Sequence, residues 1–355
     1  MDRVLTRSTR LMMVLQFILK PNNCMKKNAT IAFFGFLWIL CILSMDARSQ
    51  TGISGTWATA SSTGFPPGFW FTSSAVNGKI YVIGGVKKGG PLNTLEAFDP
   101  STNTWSTPIT TGTFTARYGL ASCVVNNKIY VLGGATTDDK HLLNTLEVFD
   151  PSTNTWSTPK TTGTSTTRYV LAAHAVNGKI YAIGGWNGRT DVNTLEVFDP
   201  STNTWSTPKT TGEFTATGAF ASGVVNGKIY VIGGINSTDT SAALLNTVQV
   251  FDPLTNTWNT PTTTGTITPR WALCSGVVNG KIYVMGGADT NSALNTVEVF
   301  DPSANTWSTA KTTGTFTPRN WVTSSVVDGK IYVMGGMANR KILDINEVFT
   351  PAHED

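Results

Sequence analysis

Histidine and charged residues are scarce in this chain of 355 residues, and that scarcity limits the chemistry it can carry. Its three histidines, His141, His174 and His353, are far apart in the sequence. No nucleophile, base and metal-ligand set can be assembled from the sequence, so we predict no metal site and no cofactor. Charged residues make up only 14% of the chain, so Thr, Ser and Asn must keep the surface polar.

The excess of positive charge lies in the first 49 residues. The formal net charge of the whole chain is +4. Residues 1–49 contain seven Lys or Arg and two Asp, a charge of +5, so the remainder is near −1. Domains that bind nucleic acids usually present clustered basic surface. The sequence therefore gives no support to a nucleic-acid partner.

The first 49 residues read as a leader. Two lysines follow Met25, residues 31–43 are apolar, and Ala47-Arg48-Ser49 fits a small-x-small cleavage site. The apolar run is shorter than the ~20 residues that a membrane-spanning helix needs. We therefore expect Gln50 to begin a mature chain that is secreted, periplasmic or at the cell surface and has no stable membrane span. Met1 and Met25 both stay open as the initiator.

A unit of about fifty residues recurs through the rest of the chain. The tract Asn-Thr-Leu-Glu-Val-Phe-Asp-Pro-Ser-Thr-Asn-Thr-Trp returns with small changes. Each copy also contains a glycine pair, at 84–85, 133–134, 184–185, 233–234, 286–287 and 335–336. A long, fixed period indicates one supersecondary unit copied many times.

The second copy shows what the unit predicts. Residues 120–125 and 129–132 are rich in β-formers and flank Asn126-Asn127, where most copies have Asn-Gly, a pair typical of tight hairpin turns. Residues 146–149 predict a third strand, and Trp156 begins a fourth after an Asp-Pro turn. No stretch of ten residues in the unit has a helical pattern.

The order Arg, strand, Asn-Gly-Lys-Ile-Tyr-Val-Ile-Gly-Gly, loop, Glu-Val-Phe-Asp-Pro-Ser-Thr-Asn-Thr-Trp resembles the kelch repeat from about residue 52 to 351. The resemblance implies an all-β fold, a six-bladed kelch β-propeller with four-stranded antiparallel blades, over residues 50–355. Such propellers serve as binding modules, scaffolds and enzymes, so the fold alone does not give the function.

The last copy lacks a fourth strand, because it stops near Phe349. The missing tract occurs at the other end, where the residues around Trp57 align with those around Trp105. We therefore expect an N-terminal strand to complete the last blade. A closed ring leaves no open sheet edges, and we expect a monomer.

Two cysteines lie beyond the leader, Cys123 and Cys274, in the predicted first strands of the second and fifth copies. These copies lie on opposite sides of a six-membered ring, whereas a disulfide needs Cα atoms within about 7 Å. We therefore predict two free, buried thiols.

The candidate ligand site is the rim of the central pore, on the face where the loops after the glycine pairs vary between copies. Four copies place arginine at the start of the innermost strand: Arg117, Arg168, Arg270 and Arg319. Large aromatic residues follow at the same rim: Trp70, Tyr118, Tyr169, Trp271 and Trp321. Guanidinium groups bind carboxylates and aromatic rings stack on sugars or apolar side chains, which predicts a protein or glycan ligand, anionic ligands included.

A structural alternative stays open for the arginines, because each could pair with a glutamate of a third strand. The candidates are Glu96, Glu147, Glu196, Glu298 and Glu347. Two interpretations of His174 likewise stay open: it is a base in the channel, or it is a packed, hydrogen-bonded side chain.

The function predicted from these features is a non-catalytic binding or interaction module. The alternative is a carbohydrate enzyme, because secreted and periplasmic kelch propellers include N-acetylneuraminate epimerases with similar six-bladed rings, and a sugar carboxylate would suit an arginine-lined mouth. No epimerase-specific catalytic motif could be matched in the chain.

Overall fold

The computed structural model describes residues 53–136, 141–238 and 240–352, so the predicted leader lies outside the described residues. The chain folds into strands and turns throughout these ranges, and they hold no helix long and apolar enough to cross a membrane.

Strand β1 (Ser54–Ala60) comes first in the chain and is followed by six groups of strands, the blades. Blade 1 contains β2 (Thr72–Val76), β3 (Lys79–Ile83), the short pair β4 (Val86–Lys87) and β5 (Gly90–Pro91), β6 (Leu95–Asp99) and β7 (Thr104–Ser106). Blade 2 contains β8 (Ala121–Val125), β9 (Lys128–Leu132), β10 (Leu146–Asp150) and β11 (Thr155–Ser157). Blade 3 contains β12 (Ala172–Val176), β13 (Lys179–Ile183), β14 (Leu195–Asp199) and β15 (Thr204–Ser206).

Blade 4 contains β16 (Ala221–Val225), β17 (Lys228–Ile232), the hairpin β18 (Ile235–Ser237) and β19 (Ala242–Leu244), β20 (Val248–Asp252) and β21 (Thr257–Asn259). Blade 5 contains β22 (Trp271–Val278), β23 (Lys281–Ala288), β24 (Val297–Asp301) and β25 (Thr306–Thr309), and β26 (Lys311–Thr313) follows it. Blade 6 contains β27 (Thr323–Val327), β28 (Lys330–Met334), the short pair β29 (Met337–Ala338) and β30 (Lys341–Ile342), and β31 (Asn346–Pro351).

Within a blade, the four main strands are antiparallel neighbours in chain order. The first two are joined by the predicted two-residue turns, in which Asn77 and its counterpart Asn177 have φ of 50° and 51°. Asparagine tolerates this left-handed region, and glycine follows at little cost, so the local sequence selects a turn that matches the twist of the strands. All-β architecture and six four-stranded blades are thus confirmed.

The last blade is completed by β1, as the sequence predicts. Strand β1 pairs antiparallel with β31, and Trp57 lies opposite Phe349 in the register. The same strand pairs in parallel with β26 on its outer side, where Thr56 lies opposite Thr313. The N-terminal strand is therefore hydrogen-bonded on both edges.

Aromatic contacts between blades close the ring. A tyrosine from each second strand packs against a phenylalanine from the third strand of the next blade, with ring centroids 5.6–6.3 Å apart. The pairs are Tyr81–Phe149, Tyr130–Phe198, Tyr181–Phe251, Tyr230–Phe300, Tyr283–Phe349 and Tyr332–Phe98. Each tyrosine contributes an apolar ring with a polar end. Because the same pair recurs between every two neighbouring blades, the six pairs form six equivalent layers of the core.

Cys123 and Cys274 are both free and buried, as predicted. Burial raises the pKa of the Cys123 thiol and raises that of Cys274 to about 11. Both groups are therefore protonated at neutral pH, and thiols in that form are poor nucleophiles.

Candidate functional site

The two faces of the propeller differ in their connections. We call the loop face the one with the segments that lead into each first strand and the loops that follow each glycine pair. The turn face carries the Asn-Gly and Asp-Pro turns. All nine predicted site residues lie in or just before the first strands, where the chain enters the blade from the loop face.

The four rim arginines are buried and paired within their own blades. Each guanidinium forms an ion pair with the glutamate of the third strand, and each arginine is at most 1% exposed. The pairs are Arg117–Glu147, Arg168–Glu196, Arg270–Glu298 and Arg319–Glu347. In the pair of blade 3, Arg168 Nη2 lies 2.6 Å from Glu196 Oε2.

Each guanidinium also donates a hydrogen bond to a backbone carbonyl of the second strand or of the glycine that follows it. Arg117 Nη1 donates to Gly133 O at 3.0 Å, and Arg270 Nη1 donates to Gly286 O at 3.0 Å. Desolvation lowers the pKa of both arginines. The geometry matches the structural alternative, because each arginine joins the first, second and third strands of its blade. An anionic ligand would have to displace a buried glutamate, and ligand binding by the arginines stays a prediction.

Blades 1 and 4 replace the ion pair in different ways. In blade 1, Gly68 stands in place of arginine, and Glu96 accepts a hydrogen bond from Thr107 Oγ1 at 2.6 Å. Desolvation raises the pKa of Glu96. In blade 4 both partners are neutral, Thr217 and Gln249, and both are buried.

A ring of six backbone hydrogen bonds encircles the pore mouth. One residue per blade donates its N–H to the carbonyl of the equivalent residue in the preceding blade, at 2.7–3.3 Å. The members are Trp70, Gly119, Val170, Ala219, Ala272 and Trp321. All six have positive φ, from 51° to 62°, although five are not glycine. Such conformations persist only where the surroundings enforce them, so the mouth is a rigid frame.

Five aromatic residues predicted at the rim lie together on this frame, and we call them the aromatic arc: Trp70, Tyr118, Tyr169, Trp271 and Trp321. Trp70 is stacked on Tyr118 at 4.9 Å and meets Trp321 edge-on at 4.7 Å. Trp271 continues the contact to Trp321 at 4.8 Å, and Tyr169 approaches Trp70 at 6.1 Å. Tyr118 is buried, whereas the other four are partly exposed. The arc spans blades 1, 2, 3, 5 and 6.

The channel beneath the arc changes from apolar to polar. A cavity of about 100 Å³ lies at the mouth between residues such as Leu120, Leu171 and Leu273. A second cavity, of about 270 Å³, is lined by hydroxyls of the first strands, including Ser122 and Ser222. It could hold water or a small polar molecule.

His174 lies in this lower channel and bonds to the next blade. Its Nε2 lies 2.8 Å from Ser222 Oγ. Burial lowers the pKa of His174 to about 4, so the imidazole is neutral at pH 7. A desolvated imidazole of such low basicity is a weak general base, and the geometry agrees with a packed, hydrogen-bonded side chain.

Two residues of the rim were missed in the sequence, Trp186 and Asp191, both in the loop after the third glycine pair. Trp186 contacts Tyr169 edge-on, with centroids 5.5 Å apart. Asp191 is buried and its carboxylate accepts a hydrogen bond from Ser237 N at 2.6 Å. Aligning the six loops by their glycine pairs would have revealed Trp186, because the other copies have Val, Ala, Ile or Met there, whereas the position of Asp191 depends on the variable length of the loop.

Within the described ranges, no three His, Cys, Asp or Glu side chains lie close enough together to hold a metal ion.

The sequence matches the model of the KLHDC2/KLHL20/DRC7 Kelch-repeats domain family over residues 40–167, 70–269 and 216–353. The chain belongs to this family. It is 29% identical to the mouse Rab9 effector protein with kelch motifs over 124 residues, which are 34% of this chain and 31% of the mouse protein. It is 32% identical to the bovine protein of the same name over 117 residues, 30% of each chain. The chain thus aligns with about a third of the length of these relatives.

Proposed function

We propose that this kelch propeller is a non-catalytic interaction module whose protein partner docks on the loop face, over the aromatic arc. The observation that carries the proposal is the partly exposed cluster of Trp70, Tyr169, Trp271 and Trp321 on a rigid backbone frame. Tryptophan and tyrosine dominate the energetic centres of protein interfaces. Their rigid rings also lose little conformational entropy when a partner binds.

The family supports a partner that is a protein. The mouse and bovine relatives carry the name of an effector of Rab9, a name that refers to a protein partner. The proposal for this chain includes a protein partner of a similar kind. It also includes export from the cell, directed by residues 1–49. Protein sequencing of the mature product tests export, with Gln50 expected as the first residue.

Site-specific photo-crosslinking tests the docking face. A benzophenone side chain at Trp271 places the probe on the arc, and the same group at Leu254, 82% exposed in an Asp-Pro turn, places it on the turn face. We expect a protein from the native host to be captured at position 271 and not at 254. That protein is then purified for binding assays.

Binding assays with the captured protein complete the test. Trp271→Ala and Trp321→Ala should each weaken its affinity by roughly thirtyfold, as for an interface residue worth about 2 kcal/mol. Unchanged affinity in both variants, or capture at position 254 alone, would remove the arc from the interface.

The epimerase alternative stays a prediction. NMR of sialic-acid anomer exchange separates it from a binding module, because an enzyme accelerates the exchange and a binder does not.

A further inference from the structure

Blade 3 departs from the other five copies at two positions of the rim. Trp186 follows the third glycine pair, where the other copies have Val86, Ala135, Ile235, Ala288 and Met337. Asp191 lies at the far end of the same loop, where the others have Pro91, Leu142, Leu244, Ala293 and Ile342. The copies are nearly identical in their strands, so these two changes create a local feature that no other blade has.

The two residues share one face with a member of the aromatic arc. Tyr169 pairs with Trp186 across an antiparallel bridge, and Trp186 pairs with Asp191 across the next. Residues directly opposite each other in antiparallel bridges project their side chains to the same side. The result is a row of three side chains, a phenol, an indole and a carboxylate.

The Asp191 carboxylate lies at the one gap in the arc. Blade 4 has Gly218 where blades 1, 2, 3 and 5 have an aromatic residue, and a Cβ at Gly218 would overlap Asp191 Oδ1. Oδ2 accepts the hydrogen bond from Ser237 N. The carboxylate therefore takes the rim position that an aromatic ring has in those blades.

Among the described residues, no ion pair to Asp191 is formed. Desolvation raises that pKa to about 6, so the group is still ionised at pH 7. The four rim arginines are occupied by their own glutamates. A buried carboxylate without a cation is costly, and a cation from outside would offset that cost.

We infer that Tyr169, Trp186 and Asp191 bind a cationic side chain, lysine or arginine, of the protein partner. A guanidinium or ammonium would satisfy the carboxylate and pack on the faces of the two rings, the arrangement of a cation–π contact. The inference deepens the proposed function and rests on it, because it names the chemistry that the docking face recognises.

NMR titration with small probes tests this site without the partner. N-acetyl-arginine amide and N-acetyl-lysine amide are added to ¹⁵N-labelled protein, and the indole N–H resonance of Trp186 is followed after assignment with Trp186→Phe. N-acetyl-norleucine amide serves as the neutral probe and N-acetyl-glutamate amide as the anionic one. We expect saturable shifts of the Trp186 resonance with the two cations only.

Matched variants decide whether Asp191 carries the binding. Asp191→Asn keeps the size of the side chain and removes its charge, and should weaken cation binding at least about tenfold, which corresponds to about 1.4 kcal/mol. Asp199→Asn, on the turn face of the same blade, should leave it unchanged. The indole resonances of the other tryptophans report whether each variant keeps the fold.

Two results would overturn the inference: equal binding of the neutral or anionic probe, or unchanged cation binding in folded Asp191→Asn. Photo-crosslinking at Trp271 is independent of this titration. If capture on the arc succeeds while the cations fail to bind, the cation site falls and the docking face stands. If capture fails while the cations bind at Trp186, the docking proposal falls instead.

Discussion

Replacing Trp57 by alanine is expected to destabilise the whole propeller, although Trp57 lies almost 300 positions in the sequence from the strand with which its own strand pairs. Trp57 is 4% exposed, stacked on Phe316 at 4.2 Å and tilted against Phe349 at 5.1 Å. A buried indole removes about 150–250 Å² from water, roughly 4–6 kcal/mol at about 25 cal/mol/Å² as an upper bound. Measured losses for Trp→Ala in cores are about 3–5 kcal/mol, and we expect that range for Trp57→Ala.

Urea unfolding measures the loss, and Trp156→Ala is the matched control. Trp156 is 5% exposed and has the same two kinds of contact in blade 2, stacked on Phe114 at 4.5 Å and tilted against Phe149 at 5.1 Å. If β1 is a true fourth strand, the two substitutions should cost the same within about 1 kcal/mol. A terminal strand can also open locally, which hydrogen exchange of the β1 amides would show. A cost below about 1 kcal/mol for Trp57→Ala, beside a full cost for Trp156→Ala, would refute closure by the N-terminal strand.

Three further predictions concern the buried polar groups. Arg117→Met should lower the free energy of unfolding by about 3–5 kcal/mol because it leaves the buried carboxylate of Glu147 without its partner. Replacing both Arg117 and Glu147 by apolar residues should cost less. If denaturant unfolding shows that the double replacement costs as much as the two single replacements added together, the bracing role is contradicted. In a chain that begins at Gln50, Cys123 and Cys274 should resist Ellman's reagent until the protein is unfolded, and rapid labelling of the native protein would show that the thiols are accessible. Because the folded pKa of His174 is about 4 and its unfolded value about 6.5, the unfolded state binds more protons in this window and stability falls as pH drops from 6.5 through 4. His174→Gln should flatten that part of the pH–stability curve, and an identical slope in the variant would exclude a buried neutral imidazole.

The repeat predicted the blades and their closure because each strand carries its own signal. Asn-Gly turns, glycine pairs and the tyrosine of every second strand recur at fixed spacing, and local signals of this kind specify local geometry. The position of β1 followed from counting, because one blade lacked a tryptophan and the residues around Trp57 supplied it.

The rim was harder to predict because its chemistry depends on which partner each side chain reaches. The sequence offered both an open rim and an internal pair for Arg117 and its copies, and only the folded structure shows that the glutamate lies within reach. Trp186 and Asp191 were overlooked for a related reason. They follow a glycine pair in a loop of variable length, so their alignment with Tyr169 becomes visible only when the two bridges form.

The docking face is the central claim, and the affinity of the captured partner for Trp321→Ala and Trp271→Ala proteins tests it most directly. A loss of roughly thirtyfold in each variant, with unfolding transitions that match the unmodified protein, is the result we predict. Full affinity in both variants, or capture only from the Leu254 position on the turn face, would contradict it.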